Sequence, residues 1–311
     1  MDIEYLLLLQ NFREATGNLL TPFLVWLSDF VHGGFLLVPV FVYWCLSKHG
    51  GMLLMLSMEV SDFLNEIIKM TLCIYRPFVK DARVIPPAVH KPSSYSFPSG
   101  HTSTAASVFG GLAVLSRRKY AWFSCVCVAM ILIVMFARNY LGVHTPQDVI
   151  AGLIESVVVL YAVSVIMSHP ERENLFMLLG IAAIVAGLAY VSLKSYPMDT
   201  DANGKLIVNY AGKIGDVYLY GGNIAGLIIG RLVEKKYVRF RASGFNVKGV
   251  IVSCIGLAIY YALYFTVRND CVNFMTPFIT EWGGLFVHAL VSVFFAVAIW
   301  PYVIKKVCND R

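Results

Sequence analysis

Long apolar runs recur along the whole chain, and they constrain its fold more than any other feature. A helix needs about 20 consecutive apolar residues to cross a bilayer, and nine stretches approach this length. They are residues 20–46, 52–75, 101–116, 120–138, 147–167, 174–194, 213–232, 248–267 and 284–304. Of the 311 residues 58% are hydrophobic and 14% are charged, whereas soluble domains carry about 25% charged residues. The sequence therefore predicts an all-α, polytopic transmembrane helical bundle of about nine spans.

The first residues form a shorter apolar segment. Residues 4–14 are too short to span a bilayer, and their composition favours a helix lying in the membrane interface. A frayed terminus is the alternative interpretation. The start, Met1 to Glu4, lacks the basic region of a signal peptide, and no small-residue cleavage site follows it. We therefore expect the N-terminus to be retained.

The basic residues fall into loops on one side of the predicted bundle. They are Arg117-Arg118-Lys119, the cluster from Arg231 to Lys248, and Lys305-Lys306. By the positive-inside rule this side is cytoplasmic. The N-terminus, the loop 77–100 and the corner 139–146 then lie on the extracytoplasmic side, and the C-terminus lies in the cytoplasm. We expect a multi-pass protein of the cell membrane.

Composition argues against two classes of site. The net charge of +6 is spread over loops and forms no basic face, so it does not indicate a nucleic-acid partner. The seven cysteines show neither CxxC nor paired Cys/His ligand spacing. We interpret them as packing residues rather than as disulfide partners or zinc ligands.

The second apolar stretch carries an unusual number of charges. Glu59, Asp62, Glu66 and Lys69 are spaced so that they lie along one stripe of a helix. Charges inside a membrane usually pair with one another, so we expect an internal ion-pair network. A sharper alternative is that Glu66 or Asp62 fixes the position of Lys69.

The seventh stretch contains glycine at every fourth position. Gly222, Gly226 and Gly230 form a small-xxx-small pattern that lets helices approach closely. We interpret this pattern as helix packing without chemistry. Asp216 and Asn223 on the same stretch receive no role from the sequence.

Two histidines, one carboxylate and three cations recur at the ends of predicted helices. They are Lys69, Arg76, His101, Arg138, His144 and Asp148, and all fall on the predicted extracytoplasmic side. Such groups are expensive near a bilayer and indicate a functional site. Phosphoryl transfer depends mostly on positioning and on stabilising charge spread over phosphate oxygens. Arginine forks suit those oxygens well, so the set predicts a phosphoryl-transfer site.

The local sequence around the histidines supports this interpretation. In Pro98-Ser99-Gly100-His101, Ser99 is an N-cap candidate, and Gly100 would let backbone N–H groups approach an anion at a helix N-terminus. His144 is followed by Thr145-Pro146-Gln147-Asp148, which reads as the N-cap and first turn of a helix. Asp148 can therefore complete a capping box, orient the imidazole of His144, or do both.

The three blocks resemble the signature of the type 2 phosphatidic acid phosphatase superfamily, KxxxxxxRP, PSGH and SRxxxxxHxxxD. Here they read Lys69 to Arg76-Pro77, then Pro98 to His101, then Arg138 to His144 to Asp148. Ala137 stands where the family usually has serine, which removes a hydroxyl near the phosphate. The resemblance covers roughly residues 50–168. The predicted topology also resembles that of the sphingoid-base phosphate phosphatase and glucose-6-phosphatase branches.

The resemblance implies a role for each residue of the blocks. His144 would be the nucleophile that forms a phosphohistidine, Asp148 its orienter, and His101 the acid and later the base. The phosphate oxygens would be held by Lys69, Arg76, Arg138, Ser99 and Gly100. The family needs no metal and no cofactor. We accordingly divide the chain into an interfacial segment (1–18), a catalytic transmembrane core (19–194) and C-terminal transmembrane helices packing on it (195–311).

The expected function is an integral membrane phosphatase that hydrolyses a lipid phosphate monoester or diphosphate. Its partners would be that substrate and membrane lipids, and not nucleic acid. Two alternatives keep the same site: a lipid phosphotransferase and a small sugar-phosphate phosphatase. A third, from another class, is a phosphate-ligand transporter or an inactive binding protein. The sequence does not select among the lipids or the oligomeric states.

Overall fold

The computed structural model describes residues 2–87 and 92–309; residues 88–91 of the predicted loop 77–100 lie outside the described residues. The helices are α1 (Asp2–Ala15), α2 (Thr21–Asp29), α3 (Leu37–Phe41), α4 (Lys48–Leu72), α5 (Pro77–Lys80), α6 (Gly100–Ser116), α7 (Ala121–Tyr140), α8 (Pro146–Met167), α9 (Glu173–Leu193), α10 (Tyr210–Val233), α11 (Val247–Tyr261), α12 (Arg268–Met275), α13 (Glu281–Phe294) and α14 (Trp300–Ile304). Within the described ranges, β structure is limited to one isolated bridge, between Thr200 and Leu206. The predicted all-α class is confirmed, and every predicted apolar stretch is largely helical.

Among the described residues, five helical segments are long and apolar enough to cross a membrane. They are Ala121–Tyr140, Pro146–Met167, Pro170–Leu193, Val247–Thr266 and Glu281–Cys308. The predicted number of about nine is not confirmed. α4 carries five charged side chains, and α6 has only 17 residues, so neither meets the same criteria. Several crossing segments make this a multi-pass membrane protein.

The chain divides into two compact units, each built from three pieces of sequence. Unit 1 comprises Met1–Phe35, Leu64–Tyr161 and Leu193–Lys213. Unit 2 comprises Leu36–Phe63, Ala162–Ser192 and Ile214–Arg311. Unit 1 contains the end of α4, the start of α6, the end of α7 and the start of α8. All the residues of the three sequence blocks therefore belong to unit 1.

The N-terminal segment of unit 1 packs on the end of α7. Leu24 joins Tyr140, Leu141 and other buried apolar residues in one cluster. The buried guanidinium of Arg13 on α1 donates to the carbonyl oxygens of Ile85 at 2.6 Å and Tyr140 at 3.3 Å. These contacts fix the chain where α7 ends, directly before the turn that carries His144.

A loop from the C-terminal half also belongs to unit 1. We call residues 194–209 the strap. The hydroxyl of Tyr75 donates to Asp199 Oδ2 at 2.5 Å, and the backbone N–H of Asn209 donates to the carbonyl oxygen of Ser93 at 3.3 Å. The strap thus contacts the end of the first sequence block and the loop before the second, although it lies outside the region covered by the family resemblance.

Unit 2 has its own apolar core and its own buried polar network. The indole of Trp44 donates to the carbonyl oxygen of Ala296 at 2.7 Å within an aromatic cluster. The glycine stripe packs α10 on α13 as predicted, since a Cβ on Gly222 would lie 2.3 Å from the carbonyl oxygen of Phe286. Such an approach is open only to glycine.

The predicted ion-pair stripe along α4 is only partly right. Lys69 pairs with Glu66 at 2.7 Å, both buried, in unit 1. Glu59, in unit 2, instead accepts a hydrogen bond from Asn223 Nδ2 at 2.7 Å. The amide supplies a donor without a second charge, which is sufficient to satisfy a buried carboxyl oxygen. Asn223, which received no role from the sequence, is therefore a partner of Glu59.

Candidate active site

The centre of the site is a direct contact between Arg76 and His144. α4 ends at Leu72, and Cys73 turns the chain in the left-handed region at φ 50°. Arg76 then adopts the extended conformation expected before Pro77. Its Nη1 lies 2.7 Å from His144 Nε2. Because a guanidinium only donates, Nε2 is the acceptor and the imidazole is neutral with its proton on Nδ1.

Each of the three nitrogens of the Arg76 guanidinium donates a hydrogen bond. Its Nε donates to the carbonyl oxygen of Ser94 at 3.0 Å, and its Nη2 donates to the Ser94 hydroxyl at 2.7 Å. Its Nη1 also donates to the carbonyl oxygen of Val143 at 2.9 Å. The side chain is 5% exposed. A planar fork held by this many acceptors keeps a fixed direction.

His144 lies in a tight turn between α7 and α8. Gly142 provides the positive φ of 67° that this turn requires. Asn139 Nδ2 donates to the carbonyl oxygen of His144 at 3.0 Å, and the histidine is 1% exposed. Burial lowers the pKa of His144 well below its ordinary value.

The neighbouring positive charges act on the same group. Arg76, Arg138 and Lys69 lower the pKa of His144 further, in that order of influence. The imidazole is therefore neutral at neutral pH, and its lone pair is available to an electrophile.

Asp148 closes the capping box that the sequence predicts. Its Oδ2 accepts from the backbone N–H of Thr145 at 2.7 Å, and its own N–H faces Thr145 Oγ1 at 3.4 Å. The same Oδ2 accepts from the Ser96 hydroxyl at 2.6 Å and lies 3.5 Å from His144 Nδ1. This last distance is longer than a hydrogen bond, and Oδ2 is already shared by two donors.

The second block forms the N-terminus of α6. Ser99 is the N-cap residue by position, but its hydroxyl accepts from Thr102 Oγ1 at 3.1 Å and makes no side-chain cap. The backbone N–H of Ser99 donates to the carbonyl oxygen of Asp148 at 2.9 Å, which joins the second block to the third. Gly100 and His101 open the helix, and His101 is partly buried.

The remaining two cations are also buried in unit 1. Lys69 is 5% exposed, and a Cβ placed on Gly100 would lie 3.0 Å from its Nζ. Arg138 is 1% exposed, and its Nη1 donates to the Ser28 hydroxyl at 3.2 Å. Three cations and a helix N-terminus around a neutral imidazole suit an anion with several oxygens.

The sequence interpretation missed several residues of this site. Ser94 and Ser96 lie just before the second block, and their closeness to it in sequence was the available signal. Asn139 is adjacent to Arg138 but carries no pattern of its own. Ser28 is separated from Arg138 by 110 residues, so no local pattern links them.

Comparisons with known proteins match the part of the chain that carries the three blocks. Residues 50–172 match the family model described as the PAP2 superfamily. An undecaprenyl-diphosphatase of Sulfolobus acidocaldarius is 35% identical over 104 residues, which cover 33% of this chain and 48% of the relative. Phosphatidylglycerophosphatase B of Bacillus subtilis is 34% identical over 110 residues, covering 33% of this chain and 50% of the relative.

The chain thus spans about half the length of the curated relatives it matches. No solved structure matches. The matched region contains all three sequence blocks, and the structure brings these blocks together around His144. The match to the PAP2 superfamily model is confined to residues 50–172, the region that carries the three blocks.

Proposed function

We propose that this protein is an integral membrane phosphatase that hydrolyses a lipid phosphate monoester or diphosphate through a phosphohistidine, without a metal. One observation carries the proposal: a neutral, buried His144 has its Nε2 directed at Arg76, at 2.7 Å, inside a group of buried cations. The names of the two curated relatives, a diphosphatase and a phosphatidylglycerophosphatase, support the substrate class.

The reaction proceeds in two displacements at phosphorus. His144 Nε2 attacks phosphorus and the P–O bond to the leaving group breaks, which is the ester bond of a monoester or the bridging bond of a diphosphate. His101 gives its proton to the leaving oxygen. Asp148 stabilises the positive imidazole through its 3.5 Å approach to Nδ1. Water then attacks the phosphohistidine while His101 takes its proton, and the N–P bond breaks to release phosphate and restore the imidazole.

Arg76 gates the first of these steps. Its Nη1 lies 2.7 Å from Nε2, on the lone pair of the nucleophile. A phosphate oxygen is a stronger acceptor than imidazole because it is charged. A phosphate oxygen that binds beside the fixed fork therefore replaces Nε2 as an acceptor of Nη1 and frees the nucleophile next to phosphorus.

We also propose the membrane topology that the sequence predicts. The site residues lie at the ends of α4 and α7 and at the starts of α6 and α8, as expected for antiparallel helices with one common side. Arg117 to Lys119 lie at the other end of α6. With nine spans the site is extracytoplasmic, the N-terminus outside and the C-terminus cytoplasmic. The division at residues 18 and 194 stays a prediction.

Phosphate release from defined lipids tests the proposal. Purified protein in detergent should liberate inorganic phosphate from a long-chain phosphate monoester or an isoprenyl diphosphate. Brief incubation with labelled substrate followed by alkaline quench should leave acid-labile label on the protein, as a phosphohistidine requires. Folded protein that releases phosphate from none of these lipids would contradict the proposal.

Chelation tests the metal independence separately. The charge stabilisation comes from protein cations in the proposal, so incubation with excess EDTA followed by gel filtration should leave kcat unchanged. Loss of activity that is restored by a divalent cation would overturn this part alone.

A further inference from the structure

Two buried acceptor atoms beside the proposed phosphate site have no hydrogen-bond donor among the described residues. They are Asn65 Oδ1 and Glu66 Oε2, on successive residues of α4. Asn65 is 1% exposed and Glu66 is 8% exposed. A buried acceptor without a donor costs about 1–3 kcal/mol, so such atoms are rare and call for an explanation.

The direction of Asn65 is set by a partner behind it. Its Nδ2 donates to Glu155 Oε2 at 2.7 Å, which leaves Oδ1 on the opposite side of the amide. That oxygen lies 3.3 Å from where a Cβ on Gly100 would be, and Lys69 Nζ lies 3.0 Å from the same point. The orphan acceptor therefore faces the N-terminus of α6, next to a cation assigned to the phosphate.

A second asparagine shows that this arrangement is not a general feature of buried amides. Asn223 in unit 2 is also 1% exposed, and its Nδ2 also donates to a glutamate oxygen at 2.7 Å. Its Oδ1, however, accepts from the Tyr264 hydroxyl at 3.2 Å. The same residue with the same carboxylate partner is complete in unit 2 and incomplete beside the phosphate site.

Glu66, like Asn65, has one paired and one unpaired side-chain atom. Its Oε1 accepts from Lys69 Nζ at 2.7 Å, and its Oε2 has no such partner. A phosphate dianion brings only acceptors, so it cannot satisfy either oxygen. A ligand that completes this site must carry a donor close to its phosphate.

We propose that Asn65 and Glu66 form a donor-recognising subsite, and that the substrate is a phosphorylated lipid with a hydroxyl or ammonium group next to the phosphate ester. This inference rests on the proposed phosphatase function and narrows its substrate class. A simple prenyl or alkyl phosphate, which has no such donor, is then a poorer substrate.

Three long-chain alkyl phosphates that differ only at carbon 2 test this subsite. One carries a hydroxyl there, one an amine and one only hydrogen. We expect the wild-type kcat/KM for the hydroxyl or the amine probe to exceed that for the hydrogen probe by at least about tenfold, since a buried acceptor rejects an analogue without its donor. The probe with the higher kcat/KM shows whether the subsite prefers a hydroxyl or an ammonium donor.

Substitution of Asn65 should remove this preference. In Asn65→Leu the ratio of kcat/KM between donor and hydrogen probes should fall toward one. Asn65→Asp combined with Glu155→Gln exchanges donor and acceptor in the pair that orients this side chain and keeps an oxygen directed at α6, so this double variant should keep the preference. Asn223→Leu removes an equally buried amide in unit 2 and should leave the ratio at its wild-type value, which controls for damage to the fold.

The outcomes separate the two proposals. Equal hydrolysis of the three probes by the wild-type protein would overturn the subsite and leave the phosphatase function standing. An Asn65→Leu variant that slows all three probes by one common factor would assign Asn65 to positioning Lys69 and also overturn the subsite. Release of phosphate from no probe would reject the phosphatase function itself.

Discussion

The buried polar groups of the two units are similar in kind but differ in completeness. In unit 2, Glu59, Asn223 and Tyr264 form a chain of hydrogen bonds, and His288 Nε2 contacts the carbonyl oxygen of Tyr264 at 3.2 Å. In unit 1, Asn65, Glu66 and His144 each keep a buried polar atom without a partner among the described residues. A fully paired network stabilises a fold, whereas an open one leaves polar atoms that a ligand can pair.

Some atoms in unit 2 also lack partners among the described residues, namely the hydroxyls of Ser57 and Ser253 and the indole nitrogen of Trp300. A serine hydroxyl in a helix can rotate to a carbonyl one turn back, and the indole is a neutral group with a single donor. In unit 1, the amide of Asn65, the carboxylate of Glu66 and the imidazole of His144 each keep one open atom, although a second bond fixes the direction of the group. The contrast predicts that matched substitutions will affect activity in unit 1 and at most stability in unit 2.

Replacement of one buried histidine in each unit should give the largest contrast. His144→Ala removes the proposed nucleophile and should lower kcat by at least about 10,000-fold. His288→Ala should leave kcat within about threefold of the wild type, because no reacting atom depends on it. Phosphate release from a lipid phosphate measures both. Unchanged turnover in His144→Ala would eliminate the nucleophile assignment.

Matched arginine substitutions come next. Arg76→Lys keeps the charge but loses most of the four contacts of the fork, so kcat/KM should fall by about 100-fold or more. Arg231→Lys in unit 2 disturbs a partly exposed pair with Glu173 at 3.1 Å and a longer pair with Glu234 at 3.5 Å, and it should change kcat/KM by less than about twofold because neither pair touches the site. An equal change of kcat/KM in both variants would contradict a role for the fork geometry of Arg76 in turnover.

Alanine at the two close-packed glycines should separate activity from stability. Gly100→Ala places a methyl 3.0 Å from Lys69 Nζ, and we expect kcat/KM to fall about tenfold with little change in Tm. Gly222→Ala places a methyl 2.3 Å from a backbone oxygen and should destabilise the fold by about 2 kcal/mol. Thermal unfolding measures the change in stability of both variants, and initial rates measure the change in kcat/KM. A lower Tm in Gly100→Ala together with a lower kcat/KM in Gly222→Ala would contradict the contrast between the units.

The smallest expected effect is on pH dependence. Burial and the nearby cations lower the pKa of His144, so the acid limb of kcat/KM should lie well below the ordinary histidine range. Removing one cation favours the protonated imidazole, so Arg138→Met should move that limb to higher pH by up to about one unit. Lys48→Met in unit 2 should not move it. A limb that stays fixed in Arg138→Met would contradict the electrostatic account.

Much of the fold was predictable because its signals are local. Apolar runs gave helices in every expected stretch, and the Thr145 to Asp148 pattern gave the capping box of α8. Local signals did not determine the number of membrane spans. α4, for example, combines apolar residues with charged residues, some of which have partners far away in the sequence. Glu59 illustrates this, since its partner Asn223 lies 164 residues away.

The candidate site was predictable only where its residues cluster in sequence. The three blocks carry Lys69, Arg76 and His144 at recognisable spacings. The groups that orient them do not: the hydroxyl of Ser28 reaches Arg138 from α2, and Glu155 fixes Asn65 from a different helix. Such supporting contacts depend on how distant segments pack, which no spacing rule encodes. The assigned roles of the blocks stay predictions until the variants are measured.

Because unit 1 is built from three pieces of sequence, no single piece contains all the residues that support the site. The family-matched stretch ends at residue 172, yet Arg138 is held by Ser28 before it, and Tyr75 and Ser93 are held by the strap after it. Exchanging that stretch alone between relatives would transfer the reactive groups without their supports. A functional chimera must inherit the amino-terminal 35 residues and the strap along with it.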